Sequence, residues 1–277
     1  MTISEINLSI NPDLARKILA GFIKSEVTRA GFSKAVVGLS GGIDSALSCV
    51  LAVEALGPEN VLAVRMPYKS SSHESLDHAQ LVIEQFKVQS ETIEITEMVD
   101  PLIGRDPDMS KVRKGNIMAR ARMIVLYNQS EAFKGLVVGT SNKTEILLGY
   151  STLWGDSASA LNPIGDLYKT QVRQLSRALG IPNVIIDKAP SADLWSGQTD
   201  EDELGFTYED VDKLLFLLID HRYSPEECVE AGFPTHFVDK VVNRIRRSQF
   251  KRMLPPIAKV SNRTIGYDFL YLRDWGT

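Results

Sequence analysis

Cysteine is nearly absent: Cys49 and Cys228 are the only two in 277 residues, and they form no C-x-x-C. That excludes a disulfide framework and fits a reducing compartment, so a cytoplasmic protein is expected. No apolar run reaches the roughly 18–20 residues that a membrane helix needs. The opening stretch MTISEINLSINPDLARK has no apolar core of a signal peptide. Charge of neither sign dominates: 31 Lys and Arg stand against 35 Asp and Glu, a net charge of −4. A general nucleic-acid footprint is therefore not expected, and neither is a membrane partner. Two common nucleotide motifs are missing as well. No G-x-x-x-x-G-K-[ST] occurs, since its nearest decoy, Gly139 to Thr144, lacks the second glycine, and no G-x-G-x-x-G follows a strand. Internal repeats, low-complexity tracts and linkers are also lacking.

What is present centres on residues 34–57, KAVVGLSGGIDSALSCVLAVEALG. Ala35, Val36 and Val37 give a short buried strand. From Asp44 the pattern turns helical, with Ala46, Leu47, Val50, Leu51, Val53 and Ala55 in helical rows and Gly57-Pro58 as the stop. Between them stands Ser40-Gly41-Gly42-Ile43-Asp44-Ser45. Two glycines let the backbone turn sharply and approach a ligand closely. Free N–H groups and the positive end of the helix dipole then face the turn, and Ser40 and Ser45 add hydroxyls. The set suits phosphate. S-G-G-x-D-S resembles the PP-loop of ATP pyrophosphatases, in which backbone N–H groups stabilise leaving pyrophosphate. Asp44 would then hold Mg²⁺ against the phosphates. Alone, Asp44 reads better as a first-turn acid that favours the dipole, and it is the whole six-residue set after a buried strand that points to phosphate.

In chain order, helix and strand alternate. The pattern predicts an amphipathic helix over 11–31, with Leu14, Ile18, Phe22 and Ile23 inward. Strands follow over 34–39, 60–66, 90–95 and 136–139, with helices over 44–57, 72–87, 111–134, 141–148 and 168–180. The stretch 149–166 reads as irregular, 191–206 as a polar loop, and 207–253 as helical. Strands separated by helices imply an α/β fold, a parallel sheet with helices on both faces. Ligands bind beyond the carboxyl ends of such strands, so residues 40–45, 67–71 and 140–145 are expected to converge.

Thr140 ends the strand LVVG, and Ser141 to Glu145 open a helix. Asn142 with Glu145 three residues on is a capping-box arrangement. Glu145 would also share a sheet edge with Asp44, and two carboxylates facing one polyphosphate suggest a common metal site. Helix 111–134 carries Lys111, Arg113, Lys114, Arg120 and Arg122, amid Ile117, Met118, Ala121, Ile124, Val125 and Leu126. Arg120 is expected in a cleft, where a guanidinium suits phosphate or carboxylate. His73 and His78 do not share a helix face, so they read as surface histidines and not as a zinc pair.

In combination, GLSGGIDS at 38–45, KGNIMARARM at 114–123, VVGTSNKTE at 137–145, GYSTLWGD at 149–156, NPIGDLYKT at 162–170 and KAPSADLWSGQTDEDELG at 188–205 resemble the ammonia-dependent NAD synthetases. The resemblance runs from about Gly31 to Arg252. It implies a three-layer, Rossmann-like sandwich of the adenine nucleotide alpha hydrolase kind with a helical C-terminal part, as one synthetase domain over 1–277. Within it would lie the N-terminal helix 11–31, a nucleotide-binding core over about 32–190, and a lid loop and helical part over about 191–277. It implies adenylation of the nicotinate carboxylate of deamido-NAD by ATP, release of pyrophosphate, and attack by ammonia to give NAD and AMP. Carried over by position, Gly38, Leu39, Ser40, Gly41, Gly42, Ile43, Asp44 and Ser45 would bind ATP, joined by Thr140, Lys169 and Ser191. Asp44 and Glu145 would ligate Mg²⁺. Arg120 and Lys251 would contact deamido-NAD, and Asp156 would orient ammonia or take its proton. Asp156, Asp44 and Lys169 form the catalytic set.

Three positions depart from that pattern. Leu153, Ala160 and Phe250 stand where many members carry lysine, aspartate and histidine against deamido-NAD. The resemblance also implies a homodimer with deamido-NAD at the interface, helix 111–134 as an interface element, and a mobile lid over 191–206. About thirty residues precede the loop's strand, so free ammonia is the expected nitrogen source, with glutamine usable only through a separate amidase. A tRNA-modifying PP-loop enzyme would want a basic surface or catalytic cysteines. A non-catalytic nucleotide sensor would have no need of both Asp44 and Glu145.

Overall fold

The structure is a computed structural model and describes residues 1–191, 200–266, 268 and 269. Four strands, β1 (Lys34–Gly38), β2 (Val61–Arg65), β3 (Gln89–Thr92) and β4 (Gly135–Val138), form one parallel sheet in the order β3-β2-β1-β4. Among the described residues twelve α-helices accompany it: α1 (Pro12–Arg29), α2 (Ile43–Leu56), α3 (His73–Phe86), α4 (Thr96–Ile103), α5 (Lys111–Phe133), α6 (Lys143–Leu148), α7 (Lys169–Ala178), α8 (Asn183–Ile186), α9 (Asp200–Leu204), α10 (Tyr208–Leu215), α11 (Pro225–Glu230) and α12 (Thr235–Arg247).

Successive side chains of a strand point to opposite faces, and both faces of β1 are covered. Ala35 and Val37 pack with residues of α1, α2, α3 and α7, whereas Val36 packs with Val99 of α4 and Met118, Ala121 and Val125 of α5. That double burial is why the central strands read as continuous apolar runs. The C-terminal helices have their own core, where Tyr208, Val211, Leu214, Cys228, Val238 and Val241 meet Leu148 of α6, Tyr168 and the N-terminal Ile6 and Leu8. From β1 the sheet extends toward β2 on one side and β4 on the other. The crevice beyond the carboxyl ends of β1 and β4 is therefore its topological switch point. The segment after α6 returns to this edge, with Gly139 N–H donating to Leu161 O at 2.7 Å and Ala160 N–H to Val137 O at 2.9 Å.

Several expectations change. On α1, Leu14 and Ile18 are 56% and 58% exposed, while Ile23 and Val27 are fully buried and Leu19 and Phe22 pack against the core. The helix is turned by about one position, so its buried row is 15–19–22–23–27. β3 spans 89–92, and its residues are all exposed, as suits a polar edge strand. Pairing nonetheless continues past it, since Ile93 and Ile95 N–H donate to Arg65 and Pro67 O. α4 was not foreseen, and Pro101 lies inside it. His78 is not on the surface: it is 4% exposed within the buried stripe of α3. Ile124 of α5 is 55% exposed rather than packed. Most of the expected lid, 192–199, lies outside the described residues.

Candidate active site

β1 ends at Gly38 and α2 begins at Ile43, so the turn 39–42 presents its backbone at the crevice. Leu39 and Ile43 bury their side chains in the core, which leaves main-chain groups facing the cleft. Gly41 has φ +82°, and a Cβ there would lie 2.0 Å from the Ser75 carbonyl oxygen in the first turn of α3. Only glycine fits both the left-handed backbone and that approach. The two serines shape the loop from within. Ser45 Oγ donates to Gly42 O at 2.9 Å and accepts from Ser40 N–H at 3.2 Å, and Ser40 Oγ lies 3.1 Å from Ser45 Oγ.

Three helix starts bring charged groups together at this point. Asp44 comes from the first turn of α2, Glu145 from that of α6, and Lys169 opens α7. Lys169 Nζ donates to Asp44 Oδ2 at 2.5 Å and to Glu145 Oε1 at 3.1 Å, with its side chain only 3% exposed. Asn142 Nδ2 donates to Asp44 Oδ1 at 2.8 Å. The capping box is real too: Glu145 N–H donates to Asn142 Oδ1 at 2.9 Å. Both readings of Glu145 therefore coexist, because one carboxylate oxygen faces its own helix start and the other faces Lys169.

Burial by itself would pull the Lys169 ammonium down, but Asp44 and Glu145 overcome this and hold it above the ordinary lysine value. Burial pushes the Glu145 carboxyl up to about 8; Lys169 opposes that shift, and Asp44 and Asp200 add to it. One ammonium faces two carboxylates, so the fully ionised cluster keeps a surplus negative charge. Among the described residues no group of three or more His, Cys, Asp or Glu forms a ready-made metal cage. Two hard carboxylate oxygen donors with surplus charge fit Mg²⁺, which binds through one or two carboxylates plus substrate phosphates.

A cleft of about 890 Å³ opens above this cluster, toward the upper end of the roughly 300–1,000 Å³ of ligand sites. Thr140 and Ser191 line it near the loop, and Asp156 and Lys251 line it farther along. Asp156 Oδ1 accepts from Thr152 N–H at 2.8 Å. The protein crowding around its carboxyl pushes it above the usual range, against the pull of that amide and of Lys251. The turn that presents it is strained, since Trp154 has φ 59°. Lys251 Nζ donates to the carbonyls of Gly149 and Ser151 at 2.7 and 2.5 Å, fastening the start of the 149–166 stretch.

Arg120 does not take the expected cleft position within one chain: it is exposed and does not line the cleft, and its Nη2 donates to Leu153 O at 3.1 Å. The arginine of α5 at the cleft wall is Arg122, whose Nε donates to Met66 O at 3.0 Å. The face of α5 that meets the sheet carries 118, 121 and 125, which places 120 and 124 on the outer side. Leu153, Ala160 and Phe250 are likewise absent from the cleft lining, and Phe250 is 60% exposed.

Several polar residues at the site escaped the sequence reading. Asn142 was seen as a cap only. Lys188 reaches Ser75 Oγ and Glu74, each at 3.2 Å, on the cleft wall. Asp200 is 4% exposed, accepts from Tyr208 OH at 3.0 Å, and has an Oδ1 without a hydrogen-bond partner among the described residues. Each is brought in by tertiary folding from a distant stretch, and none carries a local signal beyond its place in a motif.

A parallel sheet with a diglycine phosphate turn after β1, and a carboxylate–ammonium cluster at the switch point, defines a nucleotide-binding α/β protein of the PP-loop class. The family model described as NAD synthase matches residues 16–255, and the chain belongs to that family. It is 58% identical over 269 residues to the NH(3)-dependent NAD(+) synthetase of Trichlorobacter lovleyi, covering 97% of this chain and 98% of that protein. Among solved structures it is similar to an NMN synthetase from Francisella tularensis, with a TM-score of 0.81 and 33% identity over 90% of this chain and 99% of that one. It is also similar to an NH3-dependent NAD synthetase from Campylobacter jejuni, with a TM-score of 0.78 and 33% identity over 90% and 100%.

Proposed function

We infer that this chain amidates deamido-NAD to NAD, using ATP and ammonia and releasing AMP and pyrophosphate. The observation that carries this reading is the family match over 16–255, which spans the whole cleft from Gly38 to Lys251. In the first step the nicotinate carboxylate oxygen attacks the α-phosphorus of ATP, and the bond to pyrophosphate breaks. In the second, ammonia attacks the acyl carbon, the bond to AMP breaks, and a proton leaves the nitrogen. A poor leaving group, oxide, has become a good one.

The N–H groups of 40–45, with Thr140 and Ser191, would receive ATP, and Lys169 would meet charge that develops on its phosphates. Asp44 and Glu145 would hold Mg²⁺, which supplies neutralisation of phosphate charge. Asp156, with its raised carboxyl, suits taking a proton from attacking nitrogen. Lys251 and Arg120 would contact deamido-NAD. Arg120 would do so as part of a homodimer, since it faces outward with Ile124 (55% exposed) and Tyr127 (42% exposed) on the same helix. The reading includes one synthetase domain in the cytoplasm, with an amidase, where one serves, as a separate chain. No helix among the described residues is long and apolar enough to cross a membrane.

A second reading takes nicotinate mononucleotide as the acceptor. It is favoured by the likeness to an NMN synthetase. Incubation of the purified chain with ATP, Mg²⁺ and ammonium separates the two. NAD, AMP and pyrophosphate from deamido-NAD at much higher kcat/KM supports the dinucleotide. A preference for the mononucleotide overturns it, and no amide from either acceptor removes both.

A further inference from the structure

Asp212 is a fully buried carboxylate that, among the described residues, has no hydrogen bond or ion pair to a Lys or Arg. Burying such a charge is costly, and a core position would ordinarily be filled by an apolar residue. It sits on α10 and is not part of the cleft lining. What it touches is specific. Thr144 Oγ1, itself fully buried, donates to Asp212 Oδ1 at 2.5 Å, and Thr170 N–H donates to Oδ2 at 2.8 Å. Thr144 Oγ1 in turn accepts from Lys169 N–H at 3.1 Å. Thr144 precedes Glu145 at the start of α6, and Lys169 and Thr170 are the first two residues of α7. One carboxylate therefore binds together the two helix starts that carry Glu145 and Lys169. One turn earlier on α10, the Tyr208 ring lies 5.1 Å from Lys169 Nζ, so the same helix supports the lysine a second time.

We propose that Asp212, acting through Thr144 and the amide of Thr170, is a positioning residue that sets the Lys169–Glu145 separation on which phosphate chemistry depends. Its choice of assay rests on the amidation reading. Burial pushes the Asp212 carboxyl up, and the donors at Thr144 and Thr170 work against that, as expected for a group kept for its hydrogen bonds. Asparagine at 212 would present an NH₂ to one of the two donors and lose that bond. Valine at 144 would lose both the donor to Asp212 and the acceptor for Lys169 N–H, whereas serine would keep both.

The test measures kcat and KM for ATP and deamido-NAD, with thermal midpoints, in wild type, Asp212→Asn, Thr144→Val, Thr144→Ser and Asp212→Asn/Thr144→Val. A displacement of about 1 Å can cost on the order of a hundredfold. Thr144→Val and Asp212→Asn are therefore expected to lose about ten- to a hundredfold in kcat, with KM for deamido-NAD within about threefold. Thr144→Ser should stay near wild type, and the double variant should be no worse than the worse single, because the two residues act as a unit. If Asp212→Asn does not fold, Thr144→Val against Thr144→Ser carries the same comparison. Wild-type kcat in a folded Thr144→Val, or losses that multiply in the double variant, would overturn the proposal. Calorimetric titration with Mg²⁺ and ATP, without acceptor, keeps the test separate from the amidation reading. Weakened binding in Thr144→Val but not in Thr144→Ser supports positioning even if wild type makes no NAD, and equal binding in both refutes it.

Discussion

Lys169 carries a heavy electrostatic demand, since one buried ammonium serves two carboxylates from two other helices. Removing it should cost more than removing either partner. Lys169→Met leaves Asp44 and Glu145 facing each other without a cation, and breaking a buried pair in this way costs about 3–5 kcal/mol. Urea denaturation should show that loss together with abolished turnover. Glu145→Gln keeps shape and some hydrogen bonding, so it should hold most of the stability yet lose pyrophosphate release. Full activity of Glu145→Gln at limiting Mg²⁺ would remove Glu145 from the metal site. His78 gives a pH prediction of defined sign. Burial, then the Lys188 charge, lower its imidazole below the ordinary 6.5. Between the two values the unfolded chain binds more protons, so stability rises with pH there, is complete above about 6.5, and falls on acidification. His78→Gln should flatten the stability profile on the acid side, as read by denaturation at a series of pH values. At the cysteines, burial pushes Cys49 up to about 12 and Cys228 up to about 11, so neither supplies thiolate near neutrality. Native protein should resist iodoacetamide at pH 8, and Cys49→Ala/Cys228→Ala should keep ammonia-dependent turnover. Glutamine should give no NAD in either case.

Among the elements, those with strong local codes were legible. β1, the diglycine turn and α2 follow from a β-branched run, two glycines and a helical row, and the cap of α6 follows from Asn142 and Glu145. The site they frame was legible to the same extent, as three loops at one sheet edge. What failed has physical causes. The rotation of α1 depends on which neighbours it meets, and its apolar residues are spread widely enough to allow two phases. α4 contains Pro101 and gives no clean periodicity. Arg120 was misplaced because a long helix with apolar residues on several sides does not declare which side meets the sheet. Asp212 lies 68 residues from Thr144, its hydrogen-bond partner, and only folding joins them. At the turn, Gly41→Ala should lose about 1–2 kcal/mol for its left-handed backbone alone, and more because the new methyl meets the Ser75 carbonyl. Chemical denaturation and ATP affinity should both register it. Gly42→Ala, whose Cβ would find only Ser40 Oγ at 3.4 Å, should fold nearly as wild type.

For the whole molecule, the single chain gathers the diglycine turn, Asp44, Glu145 and Lys169 at one sheet edge and leaves Arg120 on the outside of α5. A second copy packed on α5 would account for that arrangement. Sedimentation should then find a dimer, and Ile124→Glu/Tyr127→Glu should shift it to monomer. That variant and Arg120→Ala should both raise KM for deamido-NAD well above any change in KM for ATP. A monomeric wild type with full activity, or equal effects on both substrates, would place Arg120 outside the substrate site.

The close approach of Gly41 to Ser75 has a bearing on how related chains should be read. The space a side chain would need at 41 is taken by the main chain of α3, whether or not a nucleotide is ever present. Glycine at that position therefore answers to a neighbouring helix. A descendant that had given up catalysis would be obliged to retain it, while Asp44, Glu145 and Lys169 could be exchanged together for a packed apolar set. In deciding whether such a descendant is still an enzyme, Gly41 testifies only to the scaffold, and the integrity of the carboxylate–ammonium trio is the informative witness.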